Sequence, residues 1–441
     1  MSTPASAAAA AATAFSFKSS STGPITAKER IASLDVVRGV ALLGILPMNI
    51  QAFSMISAAY INPTAYGDLH GANYWVWFFC HLLADEKFMT IFSMLFGAGI
   101  YLMTSHIEAA GKHPAPLHFR RMGWLILFGL LHAYLLWYGD ILVNYGLCGL
   151  LAYCYRKMPP KKLMFYGLGF VAVASVLFFY TAWSLPHWPA QQREVFTQQL
   201  WQPTPAMTAN EVAAYRSGWW GEMRQRATDS LVVEFQGFLF LAFWRVEGLM
   251  LIGMALFKLE VFNARAPARL YWRLIAGALF IGMPAIIYGV HREVAAGWEM
   301  RYSFFLANQY NYWGSILVSL GWVGATMLMC QSPLKRFTRP LAAVGRTAFS
   351  NYILDTIICT SIFYGFGLGL FGKVSRVQQI EIVFAIWILQ LVISPIWLKY
   401  FQFGPLEWMW RSLTYWKRQG FHKAGLHAGS AGPAKRHQRT A

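Results

Sequence analysis

Long runs of apolar residues, separated by short polar stretches, make up most of the chain. Because a membrane-spanning helix needs about 20 mostly apolar residues, runs of this length predict transmembrane helices. Ten segments meet or approach that length: about 36–56, 74–104, 122–138, 141–155, 164–184, 231–257, 270–290, 312–330, 342–364 and 377–398. The pattern therefore predicts an all-α integral membrane protein with about ten transmembrane helices.

The overall composition agrees with this pattern and excludes other classes of protein. Of the 441 residues, 56% are hydrophobic, 17% are aromatic and only 13% are charged. Since soluble proteins carry about 25% charged residues, this composition points away from a soluble globular protein. It also excludes a disordered chain, a collagen and a small disulfide scaffold.

The net charge of +18 is explained by membrane topology and not by nucleic-acid binding. If the N-terminus is placed in the cytoplasm, 24 of the 37 Lys and Arg residues fall in cytoplasmic segments, 8 in extracytoplasmic segments and 5 within the spans. An excess of Lys and Arg in cytoplasmic loops is the positive-inside pattern. We therefore expect both termini in the cytoplasm and no nucleic-acid partner.

The predicted spans divide the chain into two membrane halves, one loop and two tails. Residues 1–30 are rich in Ala and Ser and lack an apolar core behind a basic start, so we predict a disordered tail and no signal peptide. Residues 419–441 form a second disordered tail, whose basic residues are suited to contact anionic lipids. Between the tails we predict an N-terminal membrane half over 31–184, a sizeable extracytoplasmic loop over 185–230 and a C-terminal membrane domain over 231–418.

Polar residues inside the spans are the candidates for function, because each is costly at hydrocarbon depth unless it is paired or hydrated. In the first span, Arg38 and Asn49 are 11 positions apart, and Asp35 and Asn49 are 14 apart. At about 100° per residue, both separations return to nearly the same helix face. Two interpretations remain open. The three residues are either an interfacial Asp–Arg pair plus a helix-packing asparagine, or a polar stripe leading into the membrane.

The second predicted span contains four ionisable residues within seven positions, namely His81, Asp85, Glu86 and Lys87. The apolar stretch after them, 88–103, is about 24 Å long as a helix, shorter than the ~30 Å hydrocarbon core. We therefore expect these residues in the outer third of the membrane. They belong to a loop between an interfacial helix and the span, or they supply acid–base chemistry or an ion or proton site.

His132 lies in the middle of the third predicted span, and Asp140 follows at its outer end. A single histidine within the membrane is commonly hydrogen-bonded to a neighbouring helix. Because its ring titrates near neutral pH, histidine is also well suited to move protons. His132 is thus a candidate for catalysis or proton handling.

Two later spans also contain polar residues. Arg245 and Glu247 are two positions apart, which is about 200° around a helix, so each needs a partner on another span. Arg346, Asn351 and Asp355 mark the ninth span, where the last two are four positions apart and share a face. Structural ion pairs and functional groups both explain these residues.

No metal site or permanently bound cofactor is predicted. The five cysteines fall in apolar segments without metal-ligand spacing, as expected of small buried hydrophobic residues. The chain also contains no Gly-rich phosphate loop, zinc signature or G-x-S-x-G motif.

Several motifs together resemble the YeiB-like family of bacterial membrane proteins, which is largely uncharacterised and loosely associated with transport. They span most of residues 30–418. The segments that carry the resemblance are 33–49, 86–99, 129–132, 139–142, 345–352, 364–372 and 404–411. The resemblance implies a bacterial membrane protein whose C-terminal domain has no known function.

More distantly, the first span is similar to membrane acyltransferases of the heparan-glucosaminide N-acetyltransferase type and of the bacterial O-acetyltransferase type. Both open with an Asp, then Arg-Gly, then a polar residue two to four turns later. This last residue is usually His in the bacterial type, whereas Asn49 stands here, as in the heparan type. If a histidine acts in this chain, the candidates are His70, His81 and His132.

The first possible function is a transmembrane acyltransferase that moves an acyl group from cytoplasmic acyl-CoA, as co-substrate, to an extracytoplasmic or lipid-linked acceptor such as a glycan. Here Asp35 and Arg38 would bind acyl-CoA. The candidate catalytic residues, for acid–base and oxyanion roles, are His132, Glu86, Asn49 and Asp140. The candidate substrate-binding residues are His81, Lys87, Arg245, Glu247, Arg346 and Asn351.

The second possible function is a secondary transporter or a lipid-linked substrate carrier, in which the same charges form a substrate or proton path. The chain lacks the clear internal repeat that many transporters have. The third is a non-catalytic membrane scaffold. In each case we expect a multi-pass protein of the bacterial inner membrane with membrane lipids as partners. The sequence indicates no oligomeric state.

Overall fold

The computed structural model describes residues 30–423. Over this range the chain is helical and contains no β-strand, apart from one isolated bridge between Phe401 and His422. The predicted all-α fold is therefore confirmed. The predicted tails at 1–30 and 419–441 lie outside the described residues, except for Arg30 and residues 419–423.

We number the α-helices of ten residues or more in chain order. They are α1 (Ala32–Ser54), α2 (Gly71–Leu83), α3 (Lys87–Ala109), α4 (Ala115–Leu135), α5 (Leu142–Tyr155), α6 (Pro160–Ser184), α7 (Ala190–Leu200), α8 (Pro205–Arg216), α9 (Trp219–Leu231), α10 (Phe243–Lys258), α11 (Ala268–Gly277), α12 (Met283–Ala295), α13 (Asn308–Gln331), α14 (Lys335–Arg346), α15 (Ala348–Phe363), α16 (Arg376–Tyr400) and α17 (Pro405–Tyr415). The remaining elements are an α-turn at Ala58–Ile61, 3-10 turns at Leu185–His187 and Val261–Asn263, and π-helical stretches at Val232–Ala242, Ala278–Gly282 and Arg301–Ala307.

Among the described residues, seven helical segments are long and apolar enough to cross a membrane. They are Ala32–Ser54, Gly71–Ala109, Pro160–His187, Trp219–Lys258, Ala268–Ala295, Arg301–Gln331 and Arg376–Tyr400. Large apolar side chains point outward from several of them, and Phe280 is 78% exposed and Ile388 65% exposed. Apolar side chains on the outside are expected where lipid is the solvent. The chain is a polytopic membrane protein.

Three predicted segments are interrupted or folded differently from a simple span or loop. The predicted span 74–104 is two helices, α2 and α3, joined by residues 84–86. Apolar residues 342–364 do not form one helix, because α14 ends at Arg346 and α15 starts at Ala348. The predicted loop 185–230 is mostly helical and contains α7, α8 and α9.

Pairs of glycines let helix backbones approach closely at two crossings. A Cβ on Gly39 in α1 would overlap the carbonyl of Leu341 in α14. At the second crossing, a Cβ on Gly97 in α3 would overlap the carbonyl of Met250, and one on Gly253 in α10 would overlap that of Met94. Small residues at such contacts are typical of packed membrane helices. The second crossing holds the middle of α3 against α10, and these two helices carry Lys87 and Arg245, which are described below.

The α3–α10 crossing predicts that Gly253→Ala lowers the stability of the folded protein. Alanine favours a helix over glycine by about 1 kcal/mol, but the added methyl group must push the two backbones apart at a cost of about 1–3 kcal/mol. Gly169→Ala in α6 is the matched control, because nothing lies within 4 Å of the added Cβ there. Thermal unfolding in detergent should show a lower midpoint only for Gly253→Ala; equal midpoints would contradict this packing.

Candidate functional site

A buried hydrogen-bonded series, which we call the histidine triad, consists of Asp140, His132 and Thr356. His132 lies near the end of α4, Asp140 in the turn before α5, and Thr356 within α15. The His132 Nδ1 atom is 2.8 Å from Asp140 Oδ1, and its Nε2 atom is 3.0 Å from Thr356 Oγ1. At most 2% of each of the three residues is exposed. The three side chains therefore form one chain of polar contacts inside the protein.

The surroundings of Asp140 hold its carboxylate against the imidazole. The second carboxylate oxygen accepts a hydrogen bond of 2.8 Å from the backbone N–H of Val143, in the first turn of α5. Free N–H groups and the dipole at a helix start stabilise such a carboxylate. Gly129 in α4 leaves the necessary space, because a Cβ there would come within 2.8 Å of Asp140 Oδ2. Asp140 is thus positioned by both helices that flank it.

The order of groups in the triad determines what His132 can do. A carboxylate only accepts hydrogen bonds, so Nδ1 of His132 carries a proton toward Asp140. In the neutral ring, Nε2 then accepts the hydroxyl proton of Thr356. A carboxylate, an imidazole and a hydroxyl in this order form the arrangement in which histidine acts as a general base.

A second group of polar side chains, which we call the charge network, surrounds the break between α2 and α3. The Lys87 Nζ atom donates to the His81 carbonyl at 2.5 Å and to Asn311 Oδ1 at 2.6 Å. Asp85 Oδ2 accepts from Asn311 Nδ2 at 3.0 Å and lies 2.9 Å from His81 Nδ1. Lys87 is fully buried. One asparagine of α13 therefore links the ammonium and the carboxylate on either side of the break.

Arg245 of α10 forms the other half of the charge network. One of its terminal nitrogens lies 3.3 Å from Glu86 Oε2 and donates to the hydroxyls of Ser315 at 2.8 Å and Thr90 at 3.1 Å. The other donates to the Tyr312 carbonyl at 2.9 Å. With a neutral His81, the network holds two cationic and two anionic side chains, so its formal charges balance. Such a balanced set suits a structural ion-pair network as well as an ion or proton site.

The candidate residues of the first span do not join either group. Asp35 is buried and pairs with Arg38 at 3.1 Å and with Arg30 at 3.0 Å. Asn49 is half-buried, and its side chain forms no hydrogen bond with any residue in the range 30–423. The amide of Asn49 is therefore available to a ligand.

The remaining candidates lie apart from the triad and the network. Both carboxylate oxygens of Glu247 are buried without a hydrogen-bond partner among the described residues, on the side of α10 that faces Cys148. Arg346 donates to the Gln402 carbonyl at 3.3 Å. Asn351 donates to Thr347 and Ser394 at 3.0 and 2.9 Å. Neither Glu247 nor Asn351 shares a hydrogen-bond partner with Arg245 among the described residues.

The sequence interpretation missed three members of these groups, namely Thr356, Asn311 and Ser315. Hydroxyl and amide side chains inside a predicted span give little signal, because they can equally bond to their own helix. Metal ligation offers no further signal: in the part of the chain that the structure describes, no three His, Cys, Asp or Glu side chains are placed to hold a metal ion.

Comparison with known proteins identifies the family. Residues 256–417 match the family model described as a protein of unknown function, DUF418. The chain is 33% identical over 402 residues to the uncharacterized protein YeiB of Escherichia coli, which covers 88% of this chain and 96% of that protein. The chain belongs to the YeiB-like family. This confirms the resemblance that the motifs between residues 30 and 418 predicted.

Other YeiB-like relatives match over similar lengths. The uncharacterized protein YxaH of Bacillus subtilis is 31% identical over 421 residues, covering 90% of this chain and 97% of its own length. An uncharacterized 39.9 kDa protein of Bacillus acidopullulyticus is 28% identical over 394 residues, covering 89% and 96%. None of these descriptions states an activity, so the function of this YeiB-like chain must be argued from its own side chains.

We predict that Glu86 and Arg245 are energetically coupled. Removing one charge leaves the other unpaired in a mostly buried setting, whereas removing both relieves that penalty. In a double-mutant cycle of Glu86→Gln and Arg245→Gln, unfolding in detergent should give a coupling energy of about 1–3 kcal/mol.

The pair Glu108 and Lys157 is the control for this cycle. These side chains are 3.8 Å apart, and Lys157 is 71% exposed, whereas Arg245 is 13% exposed. Exposed ion pairs contribute about 0–1 kcal/mol, so the same substitutions there should give a smaller coupling energy. Equal coupling energies at the two pairs would mean that burial does not strengthen the Glu86–Arg245 contact.

Proposed function

We propose that the chain is a membrane acyltransferase that moves an acyl group from acyl-CoA to an extracytoplasmic or lipid-linked acceptor such as a glycan. The observation that carries the proposal is the series Asp140–His132–Thr356, with contacts of 2.8 and 3.0 Å in a buried setting. The distant similarity of residues 33–49 to membrane acyltransferases supports it.

In the proposed reaction, His132 is the general base. It accepts the proton of the acceptor hydroxyl or amine while the acceptor oxygen or nitrogen attacks the thioester carbonyl. Asp140 stabilises the imidazolium that forms. When the carbon–sulfur bond breaks, His132 returns the proton to the CoA thiolate, so the histidine is regenerated. Thr356 occupies the position beside Nε2 that the acceptor takes. The amide of Asn49, which has no hydrogen-bond partner among the described residues, is a candidate donor to the developing oxyanion.

We further propose that the chain crosses the bacterial inner membrane ten times, with both termini in the cytoplasm. The bias of Lys and Arg, 24 against 8 in the loops, supports this orientation. In this topology residues 31–184 and 231–418 are two membrane halves joined by an extracytoplasmic segment, 185–230. Acyl-CoA would then meet the start of α1, and the acceptor would approach from the other side.

This topology predicts which introduced cysteines a membrane-impermeant maleimide labels in intact cells. In a background with the five native cysteines changed to serine, Gln199→Cys should be labelled at once, since it lies in the extracytoplasmic segment. Lys162→Cys should be labelled only after permeabilisation. Both side chains are exposed, so access to the protein surface does not limit either reaction. The reverse labelling pattern would invert the proposed orientation.

The acyltransferase proposal predicts that changes in the triad abolish transfer. With labelled acetyl-CoA and a mixture of glycan and lipid acceptors, His132→Gln and Asp140→Asn should lower the rate of acceptor-dependent CoA release by about 10²–10⁴-fold. Thr356→Val, the exception, should change the rate by less than about tenfold, because the acceptor replaces the Thr356 hydroxyl beside Nε2 during the reaction.

Thr360→Val is the matched control, because Thr360 is buried one turn later in α15 and bonds only to backbone carbonyls of its own helix. It should keep full activity. Absence of CoA release with every acceptor would reject the proposal. If uptake of solutes into proteoliposomes instead follows a pH gradient and is lost in Glu86→Gln, the charge network would favour proton-coupled transport as the function.

A further inference from the structure

Five arginines from four parts of the chain lie together at one end of the protein. They form what we call the arginine cluster: Arg30, Arg38, Arg121, Arg346 and Arg411. Their charges act on one another. Arg38 is repelled by Arg30, Arg121 by Arg38 and Arg411, and Arg346 by Arg30. The pKa of the Arg411 guanidinium, in α17, is lowered mainly by burial and next by the positive charge of Arg30. Such a concentration of one charge is unfavourable unless an anion compensates it.

The described residues supply little compensating negative charge. Asp35 pairs with Arg30 and Arg38, at 3.0 and 3.1 Å. Glu407 also lies near, but its carboxylate accepts from the backbone N–H of Phe349 at 2.7 Å and from the Ser350 hydroxyl at 2.5 Å. Burial raises the pKa of Glu407, and hydrogen bonds from Ser350 and Phe349 oppose this shift. Within residues 30–423 the cluster thus keeps a clear excess of positive charge.

Among residues 30–423, no carboxylate forms an ion pair with three of the arginines. Arg121 stacks on Trp410 with 4.6 Å between the guanidinium carbon and the ring centre, and one nitrogen lies 3.2 Å from the sulfur of Met103. Arg411 stacks on Phe403 at 4.7 Å. Arg346 gives one hydrogen bond to a carbonyl, and its Nε atom is buried with no partner in the described part of the chain. Each guanidinium therefore has N–H groups left for a ligand.

The position of the arginine cluster indicates where that ligand comes from. Arg38 is in the first two turns of α1, Arg121 in the first two turns of α4, and Arg346 is the last residue of α14. All lie near helix ends, and aromatic residues of α17 line the same region, as is typical of the membrane interface. Phosphate groups of membrane lipids, and of soluble ligands that approach the membrane, meet a protein at this level.

We propose that the arginine cluster is a binding site for a phosphate-bearing ligand, either the phosphates of a coenzyme A ester or the phosphodiester of an anionic phospholipid. Arginine is suited to this chemistry because its planar fork donates two parallel hydrogen bonds to phosphate oxygens. Two stacked guanidinium groups, Arg121 and Arg411, are held in fixed orientations by their rings. The site does not depend on the acyltransferase proposal, since a lipid phosphate would occupy it without any acyl transfer.

Binding of CoA to the full chain in neutral detergent tests the first source. Calorimetry with CoA as the probe should show binding that weakens at least tenfold in the double variant Arg121→Gln/Arg411→Gln and that falls as salt is raised. The control variant Arg193→Gln/Arg224→Gln removes two exposed arginines of the segment 185–230 and should bind CoA like the parent.

Retention of phosphatidylglycerol tests the second source. The proteins are reconstituted in nanodiscs of mixed phosphatidylglycerol and phosphatidylcholine and then re-extracted. The parent and the control variant should retain phosphatidylglycerol. The Arg121→Gln/Arg411→Gln variant should retain at least tenfold less of it than the parent. Loss in either arm supports the site and identifies its ligand. Unchanged CoA affinity together with unchanged lipid retention overturns it.

A second pair of substitutions covers the case in which the glutamine variant does not fold. Arg121→Lys/Arg411→Lys keeps both charges but removes the planar forks and the stacked geometry. If the lysine variant is monodisperse, it should bind several-fold more weakly than the parent to whichever ligand, CoA or phosphatidylglycerol, the parent binds. Equal affinity would overturn the proposed role of the two stacked arginines, and failure of acyl transfer alone would leave the phosphate site standing.

Discussion

The structure depends on one constraint: a polar group placed at hydrocarbon depth must find its partner inside the protein. The break between α2 and α3 illustrates it. Residues 84–86 leave the helical path there, and Glu86 has a positive φ of 61°. Helix α13 supplies the missing partners, since the Trp322 indole N–H donates to the Leu83 carbonyl at 3.0 Å and the Ser319 hydroxyl donates to the Lys87 carbonyl at 2.8 Å. The break is stable because a neighbouring helix satisfies its backbone.

The same constraint explains why the polar residues form groups. Lys87 is fully buried. Its burial is tolerable only because Asn311 and a backbone carbonyl accept hydrogen bonds from its ammonium group, and because Asn311 in turn donates to Asp85. His132 and Asp140 satisfy each other in the same manner. Glu247 differs from these residues, because both of its carboxylate oxygens are buried and unpartnered among the described residues. A carboxylate in that position would be costly. Glu247 also lies about 200° around α10 from Arg245, so it does not belong with the balanced charges there.

Hydropathy predicts the helices well, because the length and apolar content of a span are local properties. Contacts between nearby residues are accessible in the same way: Asp35 and Arg38 are three apart, and His81 and Asp85 are four apart. Partners such as Thr356 for His132 are 224 positions away, so no local pattern reveals them. Hydropathy also does not reveal the turn at Thr347, because the residues on both sides of it are apolar enough to predict one continuous span.

The spacing of residues along α1 and α4 connects the two proposed sites. Arg38 and Asn49 on α1, and Arg121 and His132 on α4, are each 11 positions apart. In a helix this spacing returns to nearly the same face after about 16 Å. The two arginines also lie close enough for their charges to interact. A ligand anchored by its phosphates at the arginine cluster must therefore be long enough to extend three turns along these helices before it reaches His132. A phosphate joined by an extended arm to a reactive carbonyl meets this requirement, whereas a compact phosphorylated solute does not.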